Sequence, residues 1–248
     1  MLRLKTLPLM ENLQELESLP DGKFLINTIN AYSYNNAQKD AAFADALRGG
    51  DALLPDGMSI VVACRLIRAK SRPERRIAGW DLFISEMQRL QRKAVAEGLR
   101  KRVMFLGSSD AVLGRIAERM KTDFPMLDAI TFSPPYRKAF SDDDDALMLR
   151  AIHDADPDLL WIGMTAPKQE KWTYAHWPQM NVRCHVGTIG AVFDFYAGTL
   201  RRAPRWMQRC GMEWLFRLLC EPRRMWRRYI LGNTEFILRM FGELYVRK

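Results

Sequence analysis

The chain has 248 residues, 48% of them hydrophobic and 27% charged, which is the composition of a globular protein with one large core or a core plus a small appendage. No apolar run reaches the roughly 18–20 residues needed to cross a bilayer, so a spanning helix is excluded. A net charge of +9 points to anionic partners: phosphates, a lipid surface or nucleic acid.

In chain order, Met1–Pro20 lacks an apolar signal core and carries Glu11, Glu15 and Glu17, so a cytosolic protein is expected. Phe24–Thr28 reads as a strand and Tyr34–Arg48 as a helix. Ala52–Leu54 is a short strand ending at Pro55-Asp56-Gly57, with an apolar helix following to Ile67. Trp80–Gly98 has helical periodicity, and Arg102–Leu106 is a strand. Gly107-Ser108-Ser109-Asp110 opens the next helix, to about Lys121. Asp128–Phe132 is a strand, after which Pro134-Pro135 breaks the chain. Ser141 caps a helix through His153, Leu159–Gly163 is a buried strand, and Pro167 starts a helix ending near Trp177. Val182–Val186 is the last strand. Alternation of this kind predicts an α/β, Rossmann-like, mostly parallel sheet with helices on both faces.

Residues 1–200 carry 26 basic and 25 acidic side chains, whereas Arg201–Lys248 carries twelve basic and four acidic ones. Eleven of those twelve cations are arginines, interleaved with Trp206, Trp214, Phe216, Trp226, Tyr229, Phe236 and Phe241. Arginine suits forked recognition of phosphate, and basic, Trp-rich amphipathic helices suit a membrane interface. The composition break predicts a catalytic domain over 1–199 and a basic helical appendage over 200–248.

Ligands of such sheets bind beyond the carboxyl ends of the strands. The candidates there are Thr28 and Asn30, then Asp56, then Gly107 and Ser108, whose amides could hold a phosphate or ribose. Tyr136, Gly163, Gln169, Gly187 and Asp194 follow later strands. Asp56, fixed between a proline and a glycine, reads either as a cap of the helix after it or as a general base. Asp142-Asp143-Asp144-Asp145 follows Ser141 and reads as a helix N-terminus rather than a metal site. His153, His176 and His185 form no ligand pattern, and Cys64, Cys184, Cys210 and Cys220 form no disulfide framework, so neither metal nor cofactor is expected. A leaving diphosphate would then need the arginines of the tail.

Several stretches occur together and in order: Thr28-Ile29-Asn30, Leu54-Pro55-Asp56-Gly57, Arg76-Ile77-Ala78-Gly79-Trp80-Asp81, Ala166-Pro167-Lys168-Gln169-Glu170-Lys171-Trp172, Phe193-Asp194, Arg202-Ala203-Pro204 and Glu213-Trp214-Leu215-Phe216-Arg217-Leu218. This pattern resembles the WecG/TagA/CpsF family of bacterial glycosyltransferases over about Lys23 to Tyr229. The resemblance implies an inverting transferase of surface-polysaccharide biosynthesis. Its donor would be UDP-N-acetylmannosamine, the corresponding uronic acid or UDP-glucose, and its acceptor a polyprenyl-diphosphate-linked sugar. It also implies a cytoplasmic protein, peripheral on the inner face of the membrane. By position, Asp56 matches the family's base; Thr28, Asn30 and Gln169 match its pocket; and Arg217, Arg224 and Arg227 match arginines that close over the diphosphate. Arg76 and Asp194 fall in matching motifs. The chain departs from the family at Ile29, where proline is common, and at Met164-Thr165, where the loop is usually richer in glycine.

The rival reading is a non-enzymatic basic protein that binds membrane or nucleic acid; it leaves the strand-end residues idle. A nicotinamide dehydrogenase is disfavoured because no G-x-G-x-x-G follows a strand. No nucleic-acid partner is expected, and the oligomeric state, homo-oligomer included, is open.

Overall fold

Six short apolar runs become strands: β1 (Phe24–Ile29), β2 (Ala52–Pro55), β3 (Lys101–Gly107), β4 (Leu127–Phe132), β5 (Leu159–Gly163) and β6 (His185–Thr188). In the computed structural model, which describes residues 1–245, they form one parallel sheet in the order β2-β1-β6-β5-β3-β4. Helix α1 (Leu13–Glu17) precedes the sheet; α2 (Ala31–Lys39), α3 (Ala41–Arg48), α4 (Met58–Leu66), α5 (Gly79–Glu97), α6 (Asp110–Asp123), α7 (Asp142–Ala155) and α8 (Lys168–His176) make the connections; and α9 (Ala191–Tyr196) follows the last strand. The predicted doubly covered parallel sheet is therefore present.

Successive strand residues point to opposite faces. Leu25, Leu106 and Ile162 meet Met148, Ile152 and Trp172 of α7 and α8 on one side. Their neighbours Ile26, Phe105 and Trp161 meet Leu82, Phe83, Phe193 and Tyr196 of α5 and α9 on the other.

Two predicted elements differ. The helix expected over Tyr34–Arg48 is two helices, because Asp40 ends α2 and caps α3, accepting a 3.0 Å bond from the Phe43 amide. The last strand starts at His185, paired with Phe24 and Leu159, rather than at Val182, which is buried in a connecting segment. Gly187 thus lies inside β6. A Cβ there would sit 2.3 Å from the Trp161 ring, so this glycine makes room for a core tryptophan and is not a site residue.

The basic segment runs through α10 (Arg205–Arg209), α11 (Glu213–Cys220), α12 (Pro222–Trp226), a π-helical stretch Arg227–Leu231 and α13 (Gly232–Tyr245). It shares its packing with the start of the chain. Phe236 and Met240 are buried with Leu2, Leu4, Tyr34 and Phe43, and Phe236 meets the Tyr34 ring edge-on at 5.4 Å. The buried Glu243 carboxylate accepts the amides of Leu4 and Lys5, both at 2.8 Å, and the hydroxyl of Tyr34. Asn35 donates to the Gly232 carbonyl at 2.7 Å, and Lys39 pairs with Glu235 at 2.8 Å.

Glu243→Leu leaves two amides and a phenol without an acceptor. It is expected to lower unfolding stability by about 2 kcal/mol or more. Glu118→Leu, on an exposed face of α6, should stay within about 0.5 kcal/mol in the same urea titration.

Candidate active site

The chain leaves β3 toward β4 and leaves β5 toward β6, in opposite directions, which opens a crevice at the carboxyl ends of these neighbours. Gly107 and Gly163 are register partners there. Gly107 has φ +124°, and a Cβ on it would lie 2.4 Å from the Gly163 carbonyl oxygen. Only glycine fits that position. Ser108 has φ +58°, and its carbonyl accepts the Ser133 hydroxyl at 2.9 Å. Ser109 caps α6 through the Val112 amide.

Three strands away, Asp56 leaves the end of β2, its amide bound to the Ile29 carbonyl at 2.8 Å. The cap of α4 is Gly57, and no side-chain bond caps that helix. The reading of Asp56 as a helix cap is therefore overturned, and its half-buried carboxyl faces charges instead. Burial, followed by the nearby Glu213 carboxylate, pushes its pKa up to about 6, with Asp81 adding to the rise and Arg76 and Arg228 opposing it.

The tail supplies most of these neighbours. Glu213 on α11 pairs with Arg76 at 2.7 Å, and its other oxygen lies 3.8 Å from Nε of Arg202. The Arg202 guanidinium lies 4.7 Å from the centroid of the Trp80 ring. Arg228 lies 4.4 Å from the Tyr32 ring, with its Nε shielded from solvent and lacking a hydrogen-bond partner among the described residues. Burial lowers the pKa of both arginines.

The predicted residues divide. Thr28, in register with Leu54, and Asn30 share the end of β1 beside Asp56. The Asn30 side chain caps α2, accepting from the Ser33 amide at 3.0 Å. Gln169 is buried: its oxygen accepts the amides of Met164 and Gly190, each at 3.1 Å, and its amide donates to Glu170 at 2.8 Å. It ties two strand-end loops together from behind rather than lining the cleft. Asp194 is half-buried on α9 near Thr199. Tyr136 projects fully into solvent, because its loop extends from β4, the outermost strand.

Among the tail arginines, Arg217 lies 5.7 Å from the Phe195 ring, while Arg227 is exposed and lies against its neighbour Trp226. The side chain of Arg224 falls outside the described residues. Sequence reasoning missed Arg202, Arg228 and Glu213 as members of the charge cluster. The signal for Glu213 was its place in a shared motif, and Arg228 had none.

The acidic run behaves as a helix start. Ser141 and Asp144 cap each other's amides at 2.9 and 3.2 Å, and Asp145 accepts the Trp172 indole at 2.8 Å. Among the described residues, no group of three or more His, Cys, Asp and Glu side chains is placed to hold a metal ion.

A parallel α/β sheet with a carboxyl group and arginines beyond its strand ends has the parts for a group transfer, a base and cations for a leaving anion. The chain belongs to the glycosyl transferase WecG/TagA/CpsF family, which it matches over residues 2–248. It is 29% identical to N-acetylglucosaminyldiphosphoundecaprenol N-acetyl-beta-D-mannosaminyltransferase of Bacillus subtilis (strain 168), over 88% of this chain and 79% of that one. It is 31% identical to the protein of the same name from Bacillus spizizenii, over 84% and 75%. The Staphylococcus aureus protein of that name (strain NCTC 8325) is 25% identical over 82% and 74%.

A raised carboxyl pKa has a stability consequence independent of any reaction. The folded Asp56 keeps its proton to higher pH than the unfolded chain does, so its ionisation lowers stability as pH rises toward and through about 6. Asp56→Asn is expected to raise the thermal midpoint at pH 7.5 and to leave it nearly unchanged at pH 4. A lower midpoint at pH 7.5 would contradict the charge environment described.

Proposed function

We propose that the protein transfers a sugar from a UDP-sugar to a polyprenyl-diphosphate-linked sugar, with Asp56 as the general base. The observation that carries this is a half-buried carboxyl group, spent on no helix cap, among arginines at the carboxyl edge of the sheet. The names of the relatives specify an N-acetylmannosaminyl group and an N-acetylglucosaminyl-diphosphoundecaprenol acceptor, and these are the first substrates to try.

In a single displacement, Asp56 takes the acceptor hydroxyl proton as that oxygen bonds to the anomeric carbon. The bond from that carbon to the donor diphosphate breaks on the opposite face, which inverts the configuration. UDP leaves carrying the electron pair, and its growing negative charge is met by charge-assisted bonds from Arg217 and Arg228. The crevice at Gly107 and Ser108 would hold the nucleotide end, and Gln169 would fix the loops around it. We assign the diphosphate to Arg228 rather than Arg227 because Arg228 faces inward and Arg227 outward. With arginines in this role no metal is required, and activity should survive excess EDTA.

The outer face of the tail supports attachment to a membrane surface. Leu219, Ile230, Ile237, Leu238 and Phe241 are all more than half exposed, alongside the exposed cations Arg223 and Arg227. Exposed aliphatic side chains favour lipid over nucleic acid, and among the described residues no helix is long and apolar enough to cross a membrane. In this reading residues 200–248 both close the site over 1–199 and hold it to the bilayer.

Transfer by Asp56→Asn should fall about 100-fold or more, as expected for loss of a general base. In the unaltered protein kcat/KM should rise with pH to a plateau, with a midpoint near 6. Retention of transfer within threefold would remove Asp56 from the reaction.

Arg228→Ala and Leu238→Glu separate the two jobs of the tail. With a water-soluble acceptor analogue, Arg228→Ala should lose about 10-fold or more in kcat, the equivalent of a charged hydrogen bond of about 1.5–3 kcal/mol. Leu238→Glu should process the analogue normally but fail to co-sediment with anionic liposomes. Full liposome binding by Leu238→Glu would place the membrane contact elsewhere.

A further inference from the structure

Arg76 and Asp56 belong to neighbouring segments. The amide of Ile77, the residue after Arg76, binds the carbonyl of Pro55, the residue before Asp56, at 3.0 Å. A cation so tethered beside a carboxylate would ordinarily pair with it, since opposite charges within a few ångströms in a partly dry cleft attract strongly. Here the ion pair of Arg76 is made instead to Glu213, at 2.7 Å, and Glu213 belongs to the tail. The two side chains are less than one-fifth exposed, so this is a largely enclosed pair rather than a surface one.

We propose that Glu213 is a positioning residue for the reaction: by drawing Arg76 away from Asp56, it makes docking of the tail the step that frees the base. The inference rests on the assignment of Asp56 as base. It deepens that reading, because the tail would control the proton acceptor as well as the leaving group. With α11 in place, Asp56 faces a second carboxylate, and the arginine of the neighbouring segment is paired with that carboxylate. With α11 displaced, Arg76 can fold back onto Asp56, hold it ionised and hydrogen-bonded, and leave it a weak base. A protein away from its membrane-bound acceptor would then have little tendency to abstract protons or hydrolyse its donor.

The charged groups with the largest effect on Asp56 come from three places, the segment of Arg76, the start of α5 and the tail. Glu213 on α11 and Asp81 on α5 raise its pKa, while Arg76 and Arg228 lower it. Arg202, before α10, feels Asp56, Asp81 and Glu213 in turn. Only Glu213 both presses on Asp56 and occupies the arginine tethered next to it. Asp81 instead accepts the Ala78 amide at 2.9 Å, at the start of α5.

The test is a carboxyl-carbon NMR titration of the full chain, with the Asp56 resonance assigned by its loss in Asp56→Asn. The same pH series is run for transfer to the soluble acceptor analogue. Glu213→Gln keeps the size and polarity of the side chain but removes the charge that holds Arg76. Its Asp56 midpoint should fall by about one pH unit or more from near 6, as for a carboxylate gaining a cationic partner. The acid limb of kcat/KM should move down by the same amount, and the plateau should drop several-fold as the base weakens. Glu213→Asp should restore most of both. Adding Arg76→Met to Glu213→Gln should return the Asp56 midpoint toward 6, because the competing cation is gone.

A Glu213→Gln protein with an unmoved Asp56 resonance and a raised KM would show that Glu213 only anchors the tail, and the proposal would fall. The NMR midpoint does not depend on turnover. A shifted midpoint together with an active Asp56→Asn protein would therefore overturn the base assignment while leaving the Glu213–Arg76 exchange standing.

Discussion

In the proposed mechanism a carboxylate that must be ionised to work is held where ionisation is unfavourable, and the charges at the sheet edge are arranged around it. Asp56 sits at the end of an edge-side strand, half-buried, with a like charge near it. Such a group is a better proton acceptor than a solvated one and a liability to stability. Arg76, Arg202 and Arg228 offset its charge without pairing with it outright, because each is engaged elsewhere: with Glu213, with the Trp80 face and with the Tyr32 face. Aromatic faces hold a guanidinium in place while leaving its edge donors available, which suits a site that must receive a polyanion.

The tail belongs to the active centre in the proposed mechanism, since it supplies Glu213 and Arg228 to the charges around Asp56. Its contacts with the sheet domain fall into two groups. Around the site they are polar and partly desolvated, with Nε atoms of Arg202 and Arg228 lacking hydrogen bonds among the described residues. Away from the site, at α13, they are largely apolar, with Glu243 accepting two amides and a phenol.

Much of this was legible in the chain. The sheet followed from apolar runs alternating with helical periods, and Asp56 from a proline–glycine turn at a strand end. What was hidden depends on where side chains turn once elements pack. Asn30 and Gln169 lie at the carboxyl edge as expected, but their amides are used on backbone groups, which no spacing rule reveals. The inward arginine was misplaced by one position. Arg227 matches the family's arginines by position, but a match by position carries no information on which way a side chain turns. Arg228 is partly buried against Tyr32, whereas Arg227 is exposed. Glu213 stands in a shared motif, but its pairing with Arg76, 137 positions earlier, depends on how the tail packs and has no trace in local spacing.

The Glu243 anchor has a consequence for the order in which the molecule folds. Its bond to Leu4 joins residues separated by 239 positions, and its bond to Tyr34 spans 209. Contacts of that span close late, because the long stretch between the partners must be ordered before they reward it. The sheet, built from nearer pairings, can therefore form before the basic arm seats, and the charges around Asp56 come together only at that later step.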